Sequence, residues 1–108
     1  MARNASADPI LLRFRAAVNE LYGDRVERVV LYGSRARGDA RPDSDYDVAV
    51  FLREMPDRFE EMKRLADVTT DILYDMGGVV NALPYRTDAY NDPRMPLMHE
   101  IRREGVDL

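Results

Sequence analysis

The chain has 108 residues, which is enough for one domain built around one hydrophobic core. Its formal net charge of −4 argues against a nucleic-acid-binding protein, because such proteins carry a basic surface. The absence of cysteine excludes a disulfide framework and a thiolate zinc site.

The N-terminal residues lack the apolar core of a signal peptide, and no apolar run is long enough to span a membrane. We therefore expect a cytoplasmic protein with a single domain over residues 1–108, of which residues 1–7 form a flexible tail. Asp8–Pro9 is a typical helix start, and apolar residues at helical spacing predict a core helix that ends at Gly23.

The segment 26–32 is rich in β-branched and aromatic residues and predicts a buried strand. Gly33 ends this strand, and Ser34 opens a short helical turn through Arg37. Free N–H groups at the start of such a turn attract anions, although a Gly-Ser pair alone is more often an ordinary turn. Arg35 and Arg37 flank this turn, and arginine suits phosphate geometry, but residues two apart on a helix do not face the same way.

Asp45 and Asp47 lie at the start of a second predicted strand, Tyr46 to Leu52. Side chains two apart on a strand point to the same face, and two carboxylates so close repel each other unless a cation lies between them. Mg²⁺ is bound by one or two carboxylates together with substrate phosphates and water. The pattern predicts a metal site beside a phosphate-binding turn; a solvated acidic strand end is the alternative interpretation.

The second half of the chain predicts further scaffold. A long amphipathic helix is expected from Met55–Pro56 to Gly77, a third strand over residues 79–85, and a last helix from Asp92–Pro93 to Gly105. His99, the only histidine, is expected on the surface. The predicted apolar stripe of the long helix comprises Met55, Phe59, Met62, Leu65, Ala66, Thr69, Ile72, Leu73 and Met76.

One continuous stretch resembles a known signature. The motif GSxARGx(5)SDxD(L/V) of the DNA-polymerase-β-like nucleotidyltransferases is matched by Gly33, Ser34, Ala36, Arg37, Gly38, Ser44, Asp45, Asp47 and Val48. In length and ending the chain is also similar to the minimal nucleotidyltransferases, the MntA-like antitoxins of HEPN/MNT toxin–antitoxin pairs. The resemblance implies an α/β (α+β) fold in which a small mixed sheet of three to four strands is flanked by helices.

The resemblance also implies a function. A Mg²⁺-dependent nucleotidyltransferase would transfer AMP from ATP to a protein hydroxyl, a tyrosine of a HEPN ribonuclease toxin, as a type VII-like antitoxin. Asp45 and Asp47 would be the catalytic metal ligands. The nucleotide would be bound by Gly33, Ser34, Arg35, Arg37, Asp45 and Asp47.

The chain departs from the superfamily pattern at one position. A third carboxylate is expected on the third strand, where Asn81 aligns, and asparagine offers an oxygen but cannot act as a base. Two alternatives therefore stay open. One is a catalytically weak or inactive module that neutralises the toxin by binding; the other is a nucleotidyltransferase for a small molecule or RNA.

Overall fold

The computed structural model describes residues 7–108, so residues 1–6 of the predicted tail lie outside the described residues. Short 3₁₀ turns at Gly23–Arg25 and Thr87–Asn91 accompany the regular elements. In this part of the chain, no helix is long and apolar enough to cross a membrane. In chain order the elements are α1 (Pro9–Tyr22), β1 (Val26–Tyr32), α2 (Ser34–Arg37), β2 (Tyr46–Leu52), α3 (Arg58–Met76), β3 (Val80–Arg86), α4 (Pro96–Glu104) and β4 (Val106–Asp107).

The four strands form one mixed sheet in the order β3-β2-β1-β4. Strand β2 is antiparallel to β1 and parallel to β3, and β4 is antiparallel to β1. The register places Tyr32 opposite Asp47 and Asp47 opposite Asn81. The predicted α+β fold with a mixed sheet of three to four strands is therefore confirmed, and three neighbouring strands bring their polar residues to one end of the sheet.

Both faces of the sheet are covered, because alternate residues of its central strands are apolar on either side. Helices α1 and α3 cover one face, where the fully buried Phe14 packs among the aliphatic side chains of β1 and β2. Helix α4 and the 3₁₀ turn before it cover the other face. The buried residues of this second core are Val30, Ala49, Phe51, Met98 and Ile101.

Helix α1 begins and ends where the sequence predicts. The Asp8 carboxylate accepts hydrogen bonds from the N–H groups of Ile10 (2.8 Å) and Leu11 (3.4 Å), which caps the first turn. The other carboxylate oxygen of Asp8 accepts from the hydroxyl of Tyr46 at 2.8 Å. The helix start is thereby tied directly to the first residue of β2, next to the predicted acidic site.

Helix α3 differs from its prediction in both its start and its buried face. The helix begins at Arg58 rather than at Met55–Pro56, because the Asp57 carboxylate caps the free N–H of Glu60 at 3.2 Å. Leu65 and Ile72 of the predicted stripe are buried, but much of the stripe is exposed: Phe59, Ala66, Leu73 and Met76. The apolar stripe is wider than the arc of the helix that contacts the sheet, so apolarity alone did not identify the buried face.

One acidic residue, Glu61, lies on the buried side of α3 and is only 3 % exposed. Its carboxylate accepts from Arg25 at 2.9 Å and from Arg64 at 3.0 Å. Burial alone would raise the pKa of Glu61, but the hydrogen bonds from the two guanidinium groups outweigh it, and the pKa is lowered. Burial of this carboxylate therefore depends on the two arginines.

The remaining elements follow their predictions with shifts at the ends. Strand β3 covers Val80–Arg86 instead of residues 79–85, and α4 begins at Pro96 instead of Asp92–Pro93. The Asp92 carboxylate does not cap a helix, because it accepts from the backbone and the guanidinium of Arg94 (2.9 and 3.0 Å). Hydrogen bonds from Arg94 lower the pKa of Asp92 to about 2. This local pair closes a turn before the helix.

Strand β3 lies at one edge of the sheet. The Tyr46 N–H donates to the Val79 carbonyl at 2.9 Å. Because alternate residues of a strand bond to the same neighbour, the backbone N–H and C=O groups of Val80, Ala82 and Pro84 point away from β2. Pro84 has no N–H to offer at this edge, and its carbonyl accepts from Arg58 Nε at 3.1 Å. One end of the edge is therefore closed by a proline and an arginine.

The buried carboxylate on α3 gives a stability prediction. We expect Glu61→Gln to lower the free energy of unfolding by about 1–2 kcal/mol at pH 7, because two charge-assisted hydrogen bonds lose their charged acceptor while both arginines stay partly solvated. The pKa of Glu61 is lowered in the folded state, so its contribution is full above the unfolded value of about 4.5 and is lost progressively as pH falls through the lower folded pKa.

Urea unfolding at pH 7 and at pH 3 measures this difference. Glu60→Gln is the matched control, because Glu60 is a neighbouring acid that pairs with Lys63 on the surface at 3.2 Å. We expect the control to cost less than about 0.5 kcal/mol. An equal cost in both variants, or a cost of Glu61→Gln that persists at pH 3, would contradict the assignment.

Candidate active site

The turn after β1 has a conformation that only glycine adopts readily. Gly33 has φ 77° and ψ −156°, and its carbonyl accepts from the N–H groups of Ala36 (3.1 Å) and Arg37 (3.0 Å), which starts α2. Gly38 closes the single helical turn in the left-handed region with φ 85°. The predicted Gly-Ser turn and the helical turn Ser34–Arg37 are thus both present, with Ser34 at the first helical position.

The two predicted carboxylates lie directly beside this turn. Asp47 is half-buried in β2, and Asp45 is exposed just before the strand. A Cβ atom on Gly33 would lie 2.6 Å from Asp47 Oδ2, so the backbone of the turn and the carboxylate are in contact. The absence of a side chain at Gly33 is therefore what lets the carboxylate approach the turn.

Asn81 lies beside the two carboxylates, at the position where the superfamily pattern has a third acid. Its amide nitrogen donates to Asp45 Oδ2 at 3.1 Å and to Asp47 Oδ1 at 3.4 Å. The parallel register opposite Asp47 accounts for this contact. The structure thus brings together Gly33, Asp45, Asp47 and Asn81, as the sequence predicted.

The donor set fits a hard divalent cation. Among residues 7–108, neither Asp45 nor Asp47 is paired with a basic side chain, and only the Asn81 amide bridges them. Rotation of that amide by half a turn would present its oxygen beside the two carboxylates. Three oxygen donors of this kind suit Mg²⁺, which completes its shell with water and phosphate. No group of three or more acidic, histidine or cysteine ligands was found within the same residues.

Arg37 faces helix α4 rather than Asp45 and Asp47. Its guanidinium contacts Asp39 at 3.2 Å and Glu104 at 3.1 Å, and Glu100 lies 3.8 Å away. Hydrogen bonds to Asp39 and then to Glu104 raise the pKa of Arg37. The contact with Glu104 was not predicted, because it joins residues 67 positions apart.

Arg35 is engaged with backbone carbonyls of the loop between α2 and β2. Its guanidinium donates to the carbonyls of Ser44 (2.8 Å) and Pro42 (3.1 Å), and it lies 4.0 Å above the ring of Tyr46. The predicted nucleotide-binding arginines therefore point in different directions, as expected for residues two apart on one turn. The interaction of Arg35 with this loop was not predicted.

Tyr32 is a further residue of the site that the sequence interpretation did not include. It lies directly opposite Asp47 in the antiparallel pair and is half-buried. Burial, followed by Tyr85 and by the charges of Asp47 and Glu100, raises its pKa to about 12. Tyr32 is therefore a neutral phenol beside the carboxylates at neutral pH. The register of the two strands would have identified it.

Three other acids on α3 and in the loop after β3 do not take the place of the third carboxylate. Asp75 pairs with Arg13 at 2.6 Å, and Asp88 lies 3.6 Å from Arg86. Asp71 is exposed on α3. His99 is exposed on α4 and contacts the Pro93 carbonyl, in agreement with its predicted surface position.

Comparisons with known proteins match the chain to one family. The family model of the nucleotidyltransferase domain matches residues 11–104. A protein of Methanocaldococcus jannaschii, provisionally named protein adenylyltransferase MJ0141, is 39% identical over 100 residues, which cover 92% of this chain and 95% of that protein.

Two solved structures share the fold. One, described as a minimal nucleotidyltransferase, has a TM-score of 0.59 and 28% identity, and the alignment covers 90% of each chain. The other is a toxin–antitoxin crystallised with AMP-PNP, with a TM-score of 0.65 and 14% identity over 89% of this chain and 69% of that chain. At that identity the second likeness concerns the fold alone.

The contact between Gly33 and Asp47 gives a second prediction. We expect Gly33→Ala to destabilise the protein by about 1–3 kcal/mol, because alanine is strained at this φ and ψ. We also expect it to weaken Mn²⁺ binding, since the new methyl group displaces the Asp47 carboxylate.

Urea unfolding and Mn²⁺ titration followed by electron paramagnetic resonance measure these two effects. Gly77→Ala is the matched control: Gly77 also has a positive φ of 75°, but nothing lies within 4 Å of its added Cβ. The control should lose stability without losing Mn²⁺ affinity. Equal Mn²⁺ affinity in both variants would show that Gly33 acts only through backbone strain.

Proposed function

Because the chain belongs to the nucleotidyltransferase domain family, we propose that it transfers AMP from ATP to a hydroxyl group of a partner protein. The acceptor in this proposal is a tyrosine of a HEPN ribonuclease toxin, which the modification silences. The name of the M. jannaschii relative supports adenylyl transfer to a protein, and the toxin–antitoxin neighbour with an ATP analogue supports an adenine nucleotide and a toxin partner. The observation that carries the proposal is a pair of carboxylates joined by Asn81, of which Asp47 contacts the glycine turn and neither is paired with a basic side chain among residues 7–108.

For this reaction, Asp45 and Asp47 would hold the divalent cation from the β2 side, and Asn81 would add an amide oxygen from β3. Mg²⁺ bound there would supply charge neutralisation for the triphosphate. Free N–H groups at the start of α2 and the Ser34 hydroxyl bind phosphate oxygens. The acceptor oxygen forms a bond to the α-phosphorus while the bond to pyrophosphate breaks.

Arg37 lies at the edge of the phosphate site and is available for the departing pyrophosphate only after it exchanges partners. Its present partners, Asp39 and Glu104, are carboxylates, and phosphate competes with them for the same guanidinium. The 42% exposure of the Arg37 side chain makes this exchange accessible to a ligand from solvent. We therefore assign Arg37 to the triphosphate rather than to the metal.

The acceptor hydroxyl loses a proton in this reaction, and β3 offers no base to take it. Asn81 cannot accept it, whereas a carboxylate at that position could. Asp45 and Asn81 are exposed, so the acceptor approaches from solvent and its proton can pass to water. Transfer of the nucleotidyl group depends mainly on positioning and charge neutralisation, which reduces the need for a strong base.

The test is transfer of label from α-labelled ATP, with Mg²⁺, to the protein encoded by the neighbouring gene. We expect Asp45→Asn with Asp47→Asn to reduce the transfer rate by more than about 100-fold, because the cation loses both anionic ligands. Asp43→Asn is the matched control, since Asp43 is an exposed acid of the preceding loop. Equal loss in the control, or label transfer by the double variant, would contradict the proposed roles.

Asn81 favours a second candidate, an antitoxin that neutralises its partner by binding alone. In that case the double variant would still bind and silence the partner, and the wild-type protein would transfer no label. The carboxylates would then be a residual nucleotide site. The same labelling experiment therefore distinguishes the two candidates.

The Asn81 position itself gives a further prediction. We expect Asn81→Asp to tighten Mn²⁺ binding by about tenfold, because a third carboxylate replaces a neutral ligand. We also expect faster label transfer, since the new group can accept a proton. Asn81→Ala is the control and should weaken Mn²⁺ binding. A weaker affinity in Asn81→Asp than in the wild type would mean that Asn81 serves to separate the two carboxylates rather than to bind the cation.

A further inference from the structure

Arg35 links the two halves of the candidate site. It lies on α2, immediately after the glycine turn, and its side chain crosses to the loop that leads into β2. Nε and Nη2 both donate to the Ser44 carbonyl, at 3.1 and 2.8 Å. Nη2 also lies 3.1 Å from the Pro42 carbonyl and 3.4 Å from that of Arg41. One guanidinium thus contacts three carbonyls of the loop, those of Arg41, Pro42 and Ser44.

The loop has its own closing contacts, and Arg35 completes them. The Ser44 N–H donates to the Arg41 carbonyl at 3.0 Å, and the Arg41 N–H donates to Ser44 Oγ at 2.8 Å. These bonds form a tight turn whose carbonyls would otherwise face solvent. The positive charge of Arg35 attracts the loop carbonyl oxygens and holds them around its guanidinium.

Arg35 also contacts Tyr46, the residue that follows Asp45. Its guanidinium carbon lies 4.0 Å from the centre of the Tyr46 ring, a distance typical of a cation–π contact. Tyr46 is 5 % exposed, and its hydroxyl donates to Asp8 at the start of α1. The ring is therefore held by the core and by α1.

Asp45 stands between these two contacts. Ser44, the residue before it, gives its carbonyl to Arg35, and Tyr46, the residue after it, gives its ring. The residues on both sides of Asp45 thus contact one guanidinium, Ser44 through its carbonyl and Tyr46 through its ring. Asp45 itself is exposed and lies outside the strand, so its direction is not set by the sheet ladder alone.

From this geometry we propose that Arg35 is a positioning residue, which fixes Asp45 relative to the glycine turn before any nucleotide binds. The consequence for the cation rests on the proposed function, whereas the ordering of the loop does not. This assignment replaces the prediction that Arg35 binds the nucleotide. With both Nε and Nη2 engaged by carbonyls, the guanidinium is already occupied by the loop.

The experiment is amide hydrogen exchange in the nucleotide-free protein, compared between wild type, Arg35→Gln and Arg35→Lys. We expect Arg35→Gln to speed exchange about tenfold for the amides of residues 39–45 and to leave α1 and α3 unchanged. Arg35→Lys should give a smaller increase, because an ammonium lacks the planar fork that spans several carbonyls. If Arg35→Gln unfolds, the lysine variant decides the question.

Arg53→Gln is the matched control, since the Arg53 guanidinium also donates to a backbone carbonyl, that of Asp24 at 2.9 Å, outside the candidate site. We expect no faster exchange at residues 41–45 in the control. Mn²⁺ affinity without nucleotide should fall about fivefold to tenfold in Arg35→Gln and stay unchanged in Arg53→Gln.

Unchanged loop exchange in Arg35→Gln, with weaker ATP binding alone, would overturn the proposal and return Arg35 to the nucleotide. If the wild-type protein transfers no label but the loop of Arg35→Gln exchanges faster, the proposed function fails and the positioning role stands. If label transfer is normal and the exchange is unchanged in both Arg35 variants, the positioning role fails and the proposed function stands.

Discussion

The candidate site depends on one close approach, that of the Asp47 carboxylate to a backbone without a side chain at Gly33. This approach requires the end of β1 to meet the start of β2 across an antiparallel pair. The parallel pairing of β2 with β3 then brings Asn81 to the same end of the sheet. The helices on both faces bury the apolar residues between these polar ones, so the core sets the register and the register sets the site.

The two arginines of α2, Arg35 and Arg37, bind different kinds of partner. Arg35 turns toward backbone carbonyls and an aromatic ring, whereas Arg37 turns toward carboxylates on α4. The carbonyls around Arg35 belong to the loop backbone, so a phosphate that bound Arg35 would have to break several hydrogen bonds that hold the loop. The carboxylates of α4 are anions, so a phosphate can replace them at Arg37 with little change in charge balance. Motif residues of one type can therefore serve the scaffold and the ligand separately.

Local signals were sufficient for the parts of the molecule that carry the candidate site. The ends of β1, α2 and β2 were predicted because glycine, alternating apolar residues and paired acids mark them within a few positions. The burial of Glu61 was missed because it depends on Arg25, which lies 36 residues away. The interaction of Arg35 was missed because it depends on the path of a loop whose carbonyls only the folded chain gathers. The start of α4 was wrong because Asp92 bonds to Arg94 instead of capping the helix.

The edge of the sheet at β3 bears on how molecules of this chain meet one another. An open strand edge invites another strand to continue the sheet, and that is a common route to aggregation. Here Pro84 lacks the donor that a new strand would need, and Arg58 occupies its carbonyl. Continuous pairing is limited to the short stretch around Val80 and Ala82. The protein can thus carry part of a polar, solvent-open site on its edge strand and still limit edge-to-edge association through that strand.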